Sequence, residues 1–132
     1  MRILVTNDDG IASVGLHHLA RAMTELGDVV VAAPDRESSG AGAAVGALQE
    51  FTAEVRRRTI DGVPEAWSLN GPPALCVLYA RLGLFGDPFD LVVSGINRGA
   101  NLGEDVFYSG TVGGAREGTF FGIPSLAVSL AA

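Results

Sequence analysis

Apolar and polar positions along the chain fall into two alternating patterns. Residues 2–6, Arg2-Ile3-Leu4-Val5-Thr6, form a continuous apolar run, as in a strand covered on both faces. Residues 14–26 carry Leu16, Leu19, Ala20, Met23 and Leu26, the spacing of one apolar helical face. Gly27 is expected to end that helix. Residues 28–33, centred on Val29-Val30-Val31, predict a second buried strand, and the strand–helix–strand order implies a parallel pair with a right-handed crossover. Residues 34–46 are rich in Gly, Ser and Ala and predict a long loop, a feature that in compact domains is functional or mobile. Residues 51–69 hold β-prone segments around Asp61-Gly62 and predict a hairpin-like excursion. Asn70-Gly71-Pro72-Pro73 is a turn into a helix over 74–82, since proline is accepted in a first helical turn. Residues 90–94 are another buried strand, and a Gly-rich loop over 95–110 leads to a helix over 111–121. The stretch 123–130 reads as a last buried strand, with 125–130 as its body.

Four parallel strands with helices between them imply a doubly wound, mostly parallel α/β sheet, Rossmann-like and three-layered, with the hairpin set apart. In that architecture the loops after the strands share one edge. The Asp8-Asp9 loop, the Ser38-Ser39 loop and the Asn97 loop are therefore expected to converge. No internal repeat, linker or low-complexity tract is present.

A length of 132 residues suits one domain, and with 48% apolar residues a sizeable core follows. The formal charge is −6 and all nine basic residues are arginine. That balance argues against duplex nucleic acid as a partner, which needs a basic footprint. Arg56-Arg57-Arg58 is the one basic cluster and is expected on the solvated side of a strand or hairpin. The single cysteine, Cys76, excludes an internal disulfide. It fits a reducing compartment and is expected in the core. No apolar run reaches the roughly 18 residues of a membrane span, and no secretory signal is read, so a cytoplasmic domain is expected. A core strand two alanines before the last residue raises the expectation that the sequence is part of a longer protein.

The chemistry gathers after the first strand. Asn7-Asp8-Asp9-Gly10 places two adjacent carboxylates where a buried strand ends. Such a pair is mutually destabilising unless a cation lies between the charges. Oxygen-only ligands suit Mg²⁺ or Mn²⁺. The alternative is a solvated turn, for which Asn, Asp and Gly are the usual residues. In Ser38-Ser39-Gly40-Ala41-Gly42 a hydroxyl can complete a metal shell and glycine permits close backbone approach. The loop from Ser94-Gly95-Ile96-Asn97-Arg98 to Asn101 carries amide oxygens and a lone arginine straight after a strand. Arg98 is either a partner for a phosphate oxygen or a solvated charge. Ser109-Gly110-Thr111 opens a helix. Its hydroxyls suit a helix cap, and the free N–H groups there make an anion site for which phosphate is the obvious occupant. Gly113 and Gly114, each costing up to about 1 kcal/mol in a helix, signal a tight approach by a ligand or a neighbouring strand. Together these features suggest metal-assisted chemistry at phosphorus, with the cation as Lewis acid and activator of a bound water.

Four ordered segments carry a resemblance: residues 1–10, Ala33-Pro34-Asp35-Arg36 with Ser39-Gly40, Val93-Ser94-Gly95-Ile96-Asn97-Arg98-Gly99, and Tyr108-Ser109-Gly110-Thr111-Val112. The chain resembles the SurE family of stationary-phase survival proteins, metal-dependent 5′/3′-nucleotidases. The resemblance implies one divalent ion held by Asp8, Asp9, Ser39 and Asn97, with Asp8 and Asp9 as the catalytic pair. It also implies a phosphate site at Ser109, Gly110 and Thr111; Asn7, Gly40, Gly95, Arg98 and Asn101 are the further candidates for phosphate and substrate contacts. The expected substrates are nucleoside 5′- and 3′-monophosphates, with polyphosphate as a further one, attacked by a metal-activated water. Residues 1–132 are then a single α/β nucleotidase domain lacking a carboxy-terminal part, and homodimers or homotetramers are expected of the full-length protein. Two departures bear on nucleotide preference: Gly71-Pro72-Pro73-Ala74-Leu75-Cys76 where family members often read Gly-Thr-Pro-Ala-Asp-Cys, and Ala43-Ala44 where hydroxyl residues are usual.

Rival readings fare worse. A two-component receiver domain and a P-loop both need a lysine, and there is none. A dinucleotide-binding domain needs Gly-x-Gly-x-x-Gly after the first strand, which is absent. A non-catalytic metal- or nucleotide-binding α/β module stays open as the alternative. His17 and His18 lie on the first helix, one expected toward solvent and the other against the sheet, and neither is given a catalytic role. The general acid and base are left unassigned among Asp8 and metal-bound water.

Overall fold

Strand β1 (Arg2–Thr6) sits at the centre of a six-stranded sheet, in a computed structural model that describes residues 1–36, 53–103, 106 and 109–131. Helix α1 (Val14–Met23) leads to β2 (Asp28–Pro34), and the antiparallel pair β3 (Val55–Arg58) and β4 (Glu65–Leu69) follows. Helix α2 (Pro73–Arg81), strand β5 (Leu91–Arg98), helix α3 (Gly110–Phe120) and strand β6 (Ser125–Leu130) complete the described elements. The strand order is β3-β4-β2-β1-β5-β6. All neighbours pair in parallel except β3 with β4.

Alternate residues of the central strands feed two cores. Ile3, Val5, Val29, Val31 and Val93 pack with Leu16, Leu19 and Ala20 of α1 on one face. Leu4, Val30 and Val92 pack with Cys76, Val77 and Ala80 of α2 on the other, where α3 also lies. This double cover is why β1 and β2 read as unbroken apolar runs. The doubly wound, three-layered α/β expectation holds, and Cys76 is fully buried, as read. Burial pushes its thiol up to about 12 from an ordinary 9.0. Among the described residues no helix is long and apolar enough to cross a membrane.

Four expectations need correction. The hairpin is no excursion: β4 pairs in parallel with β2, Val30 opposite Glu65 through Pro34 opposite Leu69, so five strands rather than four share the parallel direction. Its partner β3 forms the edge, where Arg56 meets Glu54 at 3.8 Å and the Arg57 guanidinium lies 5.1 Å from the Trp67 ring. Helix α1 ends at Met23 rather than at Gly27. A Cβ on Gly27 would run into the Met1 carbonyl, so that glycine answers a close approach rather than a helix cap. Residues 95–98 belong to strand β5, not to a loop. Gly95 (φ +146°) lies against Val128 of β6, where a side chain would collide with backbone. Finally, β6 is an edge strand, not a buried one, and Leu126 and Leu130 are 56% and 59% exposed.

The topology places a crevice. From β1 the chain runs outward on one side through α1 to β2, and after β4 it returns to the other side of β1 as β5. The carboxyl ends of β1 and β5 therefore flank a switch point, where ligands bind in open α/β sheets.

Candidate functional site

Asp8 and Asp9 leave the end of β1 at that switch point. Asn7, fully buried, closes their turn on itself: its amide donates to the Gly10 carbonyl at 3.0 Å and its Oδ1 accepts the Gly10 N–H at 3.2 Å. Asn7 thus spends both ends of its side chain on bracing the loop. Gly10 takes φ +106°, a conformation that glycine adopts at little cost.

Asp8 is 3% exposed, and its Oδ1 accepts a hydrogen bond from the Thr111 hydroxyl at 3.0 Å. Thr111 lies in the first turn of α3, whose N-cap Ser109 accepts the Val112 N–H at 3.1 Å. Gly110 brings the helix start so close that a Cβ there would lie 2.8 Å from Asp8 Cβ. The first N–H groups of a helix have no partner inside it, and the helix dipole favours negative charge at this end. A buried carboxylate is therefore stabilised where it sits.

Asp9 is half-buried, and its Oδ2 accepts the backbone N–H of Arg98 at 3.3 Å. That bond ties the end of β5 to the acidic loop. Asn97 turns its Nδ2 toward the carbonyls of Arg98 and Gly99, at 3.3 and 3.0 Å. Its Oδ1 is the end of the amide left to accept or coordinate. The Arg98 guanidinium is exposed and makes no ion pair among the described residues. Asn101 is drawn away to the Ser129 hydroxyl of β6. Ser39 and Gly40 lie outside the described residues.

The fold thus gathers Asp8, Asp9, Asn97, Arg98, Ser109, Gly110 and Thr111 at one rim. It assigns Asn7, Gly95 and Asn101 contacts within the scaffold. Among the described residues no group of three or more His, Cys, Asp or Glu is placed to hold a metal ion. The available donors are two carboxylates and an amide oxygen, a set suited to a hard divalent cation. His17 donates Nε2–H to the Ile11 carbonyl at 2.7 Å, and His18 is exposed, as read. The Gly114 alternatives are decided toward packing: a Cβ there would meet Pro73, Ser94 and Thr6 at 3.1–3.2 Å. The Thr111–Asp8 bond is the contact that sequence reasoning missed. A hydroxyl next to a glycine in a first helical turn was its only local signal.

Paired acids at the switch point of a parallel sheet, faced by a helix N-terminus, define an α/β protein whose ligand crevice lies between β1 and β5. The family model described as Survival protein SurE matches residues 3–132, and the chain belongs to that family. It is 51% identical over 131 residues to the 5′-nucleotidase SurE of Acinetobacter baumannii (strain SDF), covering 99% of this chain and 49% of that protein. It is 50% identical over 130 residues to the 5′-nucleotidase SurE of Dehalococcoides mccartyi, covering 98% of this chain and 49% of the relative. The crystal structure of the SurE protein from Aquifex aeolicus superposes with a TM-score of 0.82 at 47% identity, covering 100% of this chain and 52% of that one. The chain therefore spans about half the length of the relatives it matches.

Proposed function

We propose that this chain carries the centre of a divalent-metal-dependent nucleotidase releasing phosphate from nucleoside 5′- and 3′-monophosphates. The observation that carries the reading is the buried Asp8, fixed by Thr111 at the start of α3, beside Asp9, fixed by the Arg98 N–H. Two relatives at about 50% identity bear the name 5′-nucleotidase, which supports the same reaction class.

Asp8, Asp9 and Asn97, with Ser39 from outside the described residues, are the side chains that would hold Mg²⁺ or Mn²⁺. Such an ion supplies Lewis acidity toward a phosphate oxygen and a more acidic bound water. The N-terminus of α3, with Ser109, Gly110 and Thr111, offers N–H groups to the phosphate. Arg98 offers an exposed guanidinium to the same anion, and Asn7 holds the acidic turn in shape. Asp8 and Asp9 are also the carboxylates that this rim offers for proton transfer. Gly95 and Asn101 act through the backbone of β5 and the turn after it, and Gly40, outside the described residues, belongs to the same proposal. Dimers or tetramers of the full-length protein, and polyphosphate as a further substrate, belong to the same proposal.

Phosphate release is measured from a panel of nucleoside 5′- and 3′-monophosphates and polyphosphate, with Mg²⁺ or Mn²⁺ and with excess chelator. Release is expected only with the ion present, and Asp8→Asn or Asp9→Asn is expected to lower it by about 100-fold or more. Undiminished release in both variants refutes the assignment. A non-catalytic binding module would release nothing under any of these conditions.

A further inference from the structure

Next to the acidic loop lies a cavity of about 360 Å³ with almost wholly hydrocarbon walls. One side is the first turn of α1, through Val14, Gly15 and His18; the other is the end of β5, through Ile96, Asn97 and Arg98, with Leu130 of β6 at the rim. Val14 and His18 are one helical turn apart and so share a face. Gly15 sets the floor: a Cβ there would lie 2.7 Å from the Ile96 carbonyl oxygen, so the helix rests directly on the strand. Val14 and Leu130, both lining this cavity, are 60% and 59% exposed.

The cavity shares two residues with the site described above: Asn97 and Arg98 are among its lining residues, and the Arg98 N–H donates to Asp9. Its volume lies within the range of about 300–1,000 Å³ typical of small-molecule sites, which are largely apolar with a few placed polar groups. A ligand spanning both regions needs an anionic end for the α3 terminus and a flat, weakly polar body for the cavity.

We propose that this cavity is the nucleobase subsite of the enzyme, the base lying between Val14 and Leu130 with the His18 imidazole at its edge. The assignment rests on the nucleotidase reading and adds the part of the substrate that the paired acids do not touch. His18 supplies a ring to stack on or a nitrogen to hydrogen-bond, and Val14 and Ile96 supply the surface that the base covers.

The test compares adenosine 5′-monophosphate with ribose 5-phosphate, which carries the same ester and no base, in the full-length protein and in Val14→Glu and His18→Ala. Val14→Glu places a carboxylate at a helix N-terminus, where it does not harm the helix. For the nucleotide, KM is expected to rise about tenfold in Val14→Glu and severalfold in His18→Ala. For ribose 5-phosphate, both variants are expected to match the parent within about twofold. Binding of adenosine alone, followed by NMR, is expected to weaken in parallel. Equal effects on the two substrates, or none on either, overturn the subsite while leaving the hydrolase reading intact. Loss of self-association in Val14→Glu with both KM values unchanged overturns it too, by assigning the cavity to a contact between chains. If the parent hydrolyses neither ester yet adenosine binding still depends on Val14, the subsite stands and the nucleotidase reading falls.

Discussion

Replacing Gly110 by alanine sets two opposed effects against each other at the heart of the site. Alanine is the better helix former, by at most about 1 kcal/mol. Its Cβ, however, would lie 2.8 Å from Asp8 Cβ, 3.1 Å from Oδ2 and 3.4 Å from Cγ. Carbon atoms in good contact sit about 3.5–4.0 Å apart, so Asp8 and the helix must part by roughly 0.7 Å. Overpacking of this kind costs about 1–3 kcal/mol, leaving a net destabilisation between roughly zero and about 3 kcal/mol. The effect on catalysis is larger, because misplacement of a reacting group by about 1 Å costs about 100-fold. Gly110→Ala is therefore expected to stay folded in urea titrations while its phosphate release at saturating Mn²⁺ falls about 100-fold. Gly118→Ala is the control: its Cβ would strike Ser125 and Val92, away from Asp8. It should lose stability but keep its activity per folded molecule. If Gly110→Ala retains kcat/KM within about twofold of the parent, the position of Asp8 does not set the rate and the reasoning fails.

Three further outcomes check separate parts of the structure. Thr111→Val removes the 3.0 Å hydroxyl bond to Asp8, so the Mn²⁺ concentration for half-maximal activity should rise about 10–100-fold, with Thr111→Ser restoring it; an unchanged metal titration would dismiss the bond as incidental. Cys76, whose thiol burial raises to about 12 from 9.0, should resist iodoacetamide at pH 9 in the native protein and react fast in urea. Since the unfolded chain ionises first, stability should fall as pH rises from 9 toward 12, and Cys76→Ala should lack that component of the loss. Arg2→Ala removes the Nε–H bond to the Asp87 carbonyl at 2.9 Å and the guanidinium lying 4.4 Å from the Phe89 ring. It should cost about 1–2 kcal/mol by denaturant titration and leave phosphate release unchanged, because Arg2 lies at the opposite end of β1 from the acids.

How far the fold and site could be read in advance depended on whether a feature was local. The apolar run of β1 followed by two acids needs no distant partner to be recognised, and both the strand and the placement of Asp8 and Asp9 at its end were legible. The β3–β4 hairpin was equally local, but its membership of the parallel sheet was not. Pairing with β2 joins Val30 to Glu65, and only long-range burial decides it. Glycine misled for a different reason, because it marks two needs with one residue: freedom to turn, or absence of a side chain where another chain passes. Gly27 and residues 95–98 were read in the first sense and belong to the second, against Met1 and Val128. Gly110 shows why that ambiguity matters for function. Its missing side chain is room for Asp8, a residue 102 positions earlier in the chain. The Thr111 hydroxyl that fixes the same carboxylate is likewise 103 positions from it. Asp8 was thus visible as a residue, but its setting emerges only when α3 is laid across the end of β1. The chemistry of the rim is set by that packing as much as by the acids.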